Sequence, residues 1–253
     1  MIGIDNIMLA SIPSLMVADQ AYEQEALPVL TYFHGFTSAK EHNLPLAYYL
    51  AQKGYRVVLP DSLYHGERET DASVMEKQLS FWDIVMQNVH ELKAIKQALA
   101  DQGLIMNGRF GVAGTSMGGI TTTAALRHYS WIQTAAILMG SPKMTDYARI
   151  LVDQLKKDGD LSVTDESIAQ LYEQLQSYDL SEQVSALNER PVLFWHGDSD
   201  PVIPFDHSHT FYEHARYYYT NTEHIQLLKE PNRGHKVSRY AILETVKWFE
   251  KYL

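Results

Sequence analysis

The sequence predicts an α/β protein built on a mostly parallel, doubly wound sheet, and three observations predict it. Short apolar runs alternate with helix-like segments over most of the length. That alternation implies parallel strands with helices on both sheet faces. The 253 residues suit one large α/β domain, or a domain with a modest insertion. One stretch, 143–189, breaks the rhythm with helical patterns and no convincing strand.

Taken in order, residues 2–10 and 14–18 read as two short strands joined around Pro13. Residues 28–33 form an apolar run ending at His34-Gly35. Residues 43–52 are helix-like, with Lys53-Gly54 as the stop. Residues 55–60 are the next buried-strand candidate. Over 74–101, Phe81, Ile84, Val85, Leu92, Ile95 and Leu99 recur at helical spacing, which predicts one long helix. Residues 109–113 read as a strand, 117–128 as a helix and 134–139 as a strand. The segment 143–189 then reads as a helical cap inserted between two core strands, with an ordinary long crossover as the alternative. Residues 192–196 and 224–228 are the last strands, and 206–219 and 237–252 the last helices.

Composition narrows the chemistry. A formal net charge of −10 repels phosphate backbones and anionic lipid, so nucleic acid and membrane surfaces are poor partners. There are no cysteines, which excludes disulfides, thiolate catalysis and cysteine-ligated metals. The N-terminus lacks a positive n-region, and no stretch approaches the roughly 20 apolar residues of a membrane span. The expectation is a soluble, cytoplasmic protein. Nothing here fixes an oligomeric state.

Three separated motifs carry a reaction. Residues 114–118 read Gly-Thr-Ser-Met-Gly. G-x-S-x-G is weak alone, but here it follows an apolar strand and opens an apolar helix. A serine at such a sharp turn projects its hydroxyl clear of the sheet, and its neighbours two positions away must be small because strand and helix pass closely. Ser116 is therefore the candidate nucleophile. Serine needs an adjacent base, and the base needs an orienting acid. His235 follows the last strand beside Gly234 and is the candidate base. Asp200 and Asp198 both sit behind the strand ending at His196-Gly197. Asp200 is preferred, because its Asp-x-x-x-Pro turn matches the pattern of this arrangement; Asp198 reads as a turn cap.

Charge developing on an acyl oxygen needs two backbone donors. Met117 supplies one by position, and Phe36, in the loop His34-Gly35-Phe36-Thr37-Ser38, supplies the other. Tyr64, Trp82 and the Met117 side chain are candidate apolar substrate contacts, or core. His207, His209 and His214 cluster on one helix, but no Asp/Glu array completes a metal site. The chemistry requires no metal or organic cofactor.

As a set, His34-Gly35-Phe36-Thr37-Ser38, Pro60-Asp61 with His65-Gly66, Gly114 to Gly119, His196 to Asp200 and Gly234-His235 resemble the α/β-hydrolase superfamily. More narrowly, they resemble small bacterial carboxylesterases near the dienelactone hydrolase and prolyl oligopeptidase-like branches. The resemblance runs from about residue 28 to the end. It implies the α/β-hydrolase fold, a Ser116–His235–Asp200 triad and an oxyanion hole of Phe36 and Met117. It also implies hydrolysis of a small-molecule carboxylic ester through an acyl-enzyme. A peptidase or thioesterase with the same triad, and a non-catalytic hydrolase-like binding protein, are the alternatives. Such proteins vary most in the cap, so the resemblance says little about the substrate.

Overall fold

A computed structural model describes residues 1–157 and 164–253. Its eight strands are β1 (Ile2–Leu9), β2 (Ile12–Asp19), β3 (Leu27–Phe33), β4 (Arg56–Pro60), β5 (Ile105–Thr115), β6 (Thr134–Leu138), β7 (Val192–Gly197) and β8 (Ile225–Glu230). They form one sheet in the order β1-β2-β4-β3-β5-β6-β7-β8. β2 runs antiparallel to β1 and β4, and every other pairing is parallel. Strands β3, β4, β6 and β7 are buried at every position. This is why they read as unbroken apolar runs: a parallel sheet sandwiched by helices has no wet face.

The helices are α1 (Leu44–Ala51), α2 (Val74–Leu79), α3 (Phe81–Asp101), α4 (Met117–His128), α5 (Met144–Lys157), α6 (Asp165–Gln176), α7 (Phe205–Ala215) and α8 (Arg239–Tyr252). α1 and α8 cover one face, where Leu46, Leu50, Val246 and Phe249 join Leu30, Val57 and Trp195 in one cluster. α3, α4 and α7 cover the other, where Leu92, Ile95, Leu126 and Phe211 meet Val29, Val112 and Phe194. Consecutive strand residues such as Val29 and Leu30 feed opposite clusters, as the two-residue period of a strand requires.

The structure departs from the sequence expectations at four elements. The first hairpin turns at Ala10 and Ser11, both with positive φ (49° and 65°), and Pro13 lies inside β2. Two successive positive-φ residues match the right-handed twist of a tight hairpin. The expected helix over 74–101 is two helices. The Ser80 hydroxyl donates to the Glu76 carbonyl (2.8 Å), and Ser80 leaves helical geometry at ψ 1°. A side chain bonding back onto the preceding turn bends a helix. β5 starts at Ile105 rather than 109, paired with Leu27 across an irregularity. The helix over 206–219 is α-helical only to Ala215 and tightens to a 3-10 turn over Arg216–Tyr218.

Between β6 and β7 lie α5, α6 and a kinked 3-10 segment, Leu180–Leu187. Residues 158–163 of the expected cap lie outside the described residues. Leu180, Val184 and Leu187 belong to the same core cluster as Leu126 of α4, so that segment is part of the body. α5 and α6 pack on each other beyond the strand ends. No helix among the described residues is long and apolar enough to cross a membrane.

Candidate active site

Ser116 stands between β5 and α4 at φ 56°, ψ −115°, a conformation that costs energy for any non-glycine residue. Steric contact holds it there. A Cβ on Gly114 would lie 2.2 Å from the Gly118 carbonyl oxygen, and a Cβ on Gly118 would lie 2.0 Å from that of Phe33. Neither position admits a side chain, so α4 can start directly against β3 and β5. The Ser116 N–H donates to the Leu138 carbonyl of β6 (2.9 Å). The hydroxyl is left pointing out of the sheet.

The side chains assembled on it come from two distant loops. His235 Nε2 lies 2.8 Å from Ser116 Oγ, and His235 Nδ1 lies 2.7 Å from Asp200 Oδ2. The 232–235 loop reaches this position by passing over Gly197, where a Cβ would meet the Arg233 carbonyl oxygen at 2.3 Å. The Asp200 side chain is fully buried. Oδ1 accepts the N–H groups of Val202 (2.8 Å) and Ile203 (3.1 Å). Burial pushes the Asp200 pKa up, but hydrogen bonds from His196, His235 and the Val202 N–H outweigh it and hold the carboxyl well below the usual range. At neutral pH the group facing His235 is therefore an anion. Asp198 lies elsewhere: it accepts the Asn232 N–H (2.7 Å) and pairs with Lys229 (3.1 Å).

His196 was given no role by the sequence. It is fully buried, and its Nε2 approaches the same Asp200 oxygen at 3.2 Å, with Nδ1 on Ser208 Oγ at 2.9 Å. The available signal was its place at the end of an apolar strand, four residues before the aspartate, where a histidine pays a burial cost that needs a partner.

The His34–Ser38 loop lies against Ser116: a Cβ on Gly35 would be 3.5 Å from that of the serine. The N–H groups of Phe36 and Met117 donate to no protein acceptor among the described residues. The Met117 side chain is fully buried, so that residue offers the site its backbone alone.

Above Ser116 opens a cavity of about 340 Å³, walled by Phe36, Met75, Phe81, Leu151, Leu155 and Val202, with Gln78, Gln154 and Tyr147 among them. Burial, with the Asp200 charge nearby, pushes the Tyr147 hydroxyl pKa up to about 12, so it remains a neutral donor. Tyr64 and Trp82, expected as substrate contacts, do not reach this cavity. Tyr64 lines a separate hollow of about 380 Å³ that shares only Phe36 with it. Trp82 is buried behind the wall, edge-on to Phe81 at 4.9 Å. One step along a helix turns a side chain by about 100°, so Phe81 faces the cavity and Trp82 the core. His207 meets Ser141 Oγ (2.8 Å) and His209 stacks on Phe205. Among the described residues no group of three His, Asp or Glu side chains is arranged to hold a metal ion.

Other proteins resemble this chain over its whole length. Over their full lengths, this chain is 43% identical to a Bacillus subtilis protein named "Putative esterase YitV" and 29% identical to the Escherichia coli protein named "Esterase YjfP". The solved structure of TT1662 from Thermus thermophilus superposes with a TM-score of 0.79 at 20% identity, covering 99% of this chain and 98% of that one. That likeness shows the α/β-hydrolase fold. Residues 45–253, from the first helix after the Phe36 loop through Ser116, Asp200 and His235, match the prolyl oligopeptidase family, and the chain belongs to that family.

Proposed function

We propose that this chain is a serine esterase that cleaves small carboxylic esters, with Ser116 as nucleophile, His235 as general base and acid, and Asp200 as orienter. One observation carries the reading: a hydroxyl, an imidazole and a buried carboxylate stand in line at 2.8 and 2.7 Å on the floor of an apolar cavity. The esterase names of the full-length relatives support it.

Ser116 Oγ attacks the acyl carbon as its proton passes to His235 Nε2. The imidazolium is stabilised by the Asp200 anion across Nδ1–H. The carbonyl oxygen becomes an oxyanion and accepts the free N–H groups of Phe36 and Met117, which cost no reorganisation because they are already unpaired and held in place. His235 then returns the proton to the departing alkoxide, leaving an acyl-enzyme. Water enters and its oxygen attacks the acyl carbon as one proton passes to His235, which gives that proton to Ser116 Oγ as the acyl–serine bond breaks and the acid leaves. The walls suit an apolar acyl chain, with Tyr147, Gln78 and Gln154 as the polar groups within reach. α2 and α5 roof the acyl chain, with α6 packed behind α5. The protein works in the cytoplasm on a small-molecule ester.

Ser116→Ala should lower kcat for p-nitrophenyl acetate by about 10⁶-fold and abolish labelling by a fluorophosphonate probe. Undiminished turnover in that variant would reject the nucleophile. Chromogenic amides and acyl thioesters, assayed beside esters, decide the leaving group.

A further inference from the structure

Two histidines at the Phe36 loop take no part in the proton transfers above, and both are used in the same way. His34 directly follows β3 and is fully buried. Its Nε2 accepts the Ser62 N–H (3.0 Å), and its Nδ1 faces the Gly35 carbonyl (2.8 Å). His65 lies in the loop after β4 and is nearly buried. Its Nε2 accepts the Thr37 N–H (3.0 Å), and its Nδ1 faces the Leu63 carbonyl (2.7 Å). A backbone N–H can only donate and a carbonyl can only accept. Both rings are therefore neutral, with the proton on Nδ1. Each loop takes an N–H from the other into one of its own imidazoles, and the two are tied reciprocally. A buried Lys40–Asp61 ion pair (2.6 Å) adds a third tie between them.

The loop held in this way is strained. The Ser38 N–H donates to the Gly35 carbonyl (3.1 Å) and closes a four-residue turn with Phe36 and Thr37 at its centre. Thr37 has φ +62°, a conformation that such a turn usually gives to glycine and that a β-branched residue disfavours. A strained backbone persists only where its surroundings over-determine it. Here the Phe36–Thr37 peptide points its N–H at His65, and the Phe36 ring packs edge-on to the same imidazole at 5.2 Å.

We propose that His65 is a positioning residue for the oxyanion hole: by accepting the Thr37 N–H it holds the strained turn that aims the Phe36 N–H at the acyl oxygen above Ser116. The proposal rests on the esterase reading of Ser116. The ring is kept able to accept by its setting. Burial lowers its pKa, the Leu63 carbonyl opposes that, Lys77 lowers it further, and Asp61 and Glu69 pull upward; the net direction is down. His34 lies 5.2 Å away, ring to ring, and His42 lines the same hollow.

The test uses the full chain with ¹⁵N-labelled histidine, the His65 resonances being assigned by their loss in His65→Gln. A neutral ring protonated at Nδ1 at pH 7 is expected; an Nε2–H tautomer or an imidazolium would overturn the proposal. His65→Leu, which removes the acceptor, should lower kcat for p-nitrophenyl acetate by about 10²-fold with KM little changed. His65→Gln, which places a carbonyl oxygen near the lost Nε2, should restore most of it. Undiminished kcat in the leucine variant, a loss confined to KM, or an equal loss in both variants would each refute the role. If the leucine variant does not fold, the tautomer and the glutamine variant still decide. Failure of the wild-type chain to hydrolyse any ester or to label at Ser116 would strike the esterase reading instead, and the tautomer would report on the clamp independently.

Discussion

Around Ser116 the chain is held by contacts that leave no room for a side chain. Gly114, Gly118 and Gly197 each bring a backbone carbonyl within 2.0 to 2.3 Å of where a Cβ would stand. Across the cavity the opposite holds. α2 buries none of its residues, and α5 buries only Met144, Thr145, Tyr147 and Ala148 near its start. The floor is fixed by sterics that admit one arrangement; the roof rests on a few side chains over a half-exposed helix pair. Segments with few buried contacts open at low cost. On the esterase reading, the chemistry falls to a rigid part and substrate choice to an adjustable one.

If the floor is as selective as its packing implies, two aspartates two residues apart should behave very differently. Asp200→Asn should lower kcat by about 10⁴-fold, because an amide can no longer fix the His235 tautomer or stabilise its cation. Asp198→Asn removes only the charge pairing with Lys229, keeps an oxygen that accepts the Asn232 N–H, and should leave kcat nearly unchanged. Steady-state kinetics on p-nitrophenyl acetate measure both. A larger loss at Asp198 would mean that the orienting carboxylate has been misassigned.

The floor should also carry a pH signature that the roof lacks. Burial lowers the His34 pKa to about 4, from an ordinary 6.5. As pH falls through 6.5 the unfolded chain takes up this proton and the folded chain does not, so stability drops until about pH 4 and then levels. The shift is worth about 3 kcal/mol across that window. Asp200 and Asp61, whose pKa values are lowered from 3.8, lose their contribution only at lower pH. Urea unfolding at pH 7.5 and 4.5 measures the slope. His34→Gln, an acceptor that does not titrate, should make it shallower and leave the part that His65 and His207, also lowered by burial, contribute; equal slopes in the two proteins would show that His34 is not among the groups responsible.

The same contrast explains what the sequence could reveal. The elbow was legible because its sterics act within five residues, Gly114 to Gly118, and leave a spacing. His235 and Asp200 were legible from their places after β8 and β7, since the ends of parallel strands converge on one edge of the sheet. The cavity walls were not. Trp82 and Phe81 are neighbours of similar character, and only the break at Ser80 and the packing of α3 decide which of them faces Ser116. His34 and His65 were quoted as motif residues, but their partners are main-chain N–H groups on another loop, which no side-chain pattern records.

The roof can be tested where it is thinnest. Leu151 lines the cavity over Ser116 and also a smaller cavity, about 100 Å³, beside Trp82 and Leu171. Phe81, Leu155 and Gln78 complete the partition between them. Leu151→Ala removes part of that partition and joins the two spaces. A longer acyl chain can then bury methylenes that were excluded before, at about 0.8 kcal/mol each. The ratio of kcat/KM for p-nitrophenyl octanoate over acetate should rise by about 10-fold. Acetate turnover should hardly change, because the floor is untouched. Leu151 is only half-buried, so thermal stability should fall little. An unchanged octanoate-to-acetate ratio would show that the acyl chain does not run under α5, and would move substrate choice to the hollow beside Tyr64 and His42 on the far side of Phe36.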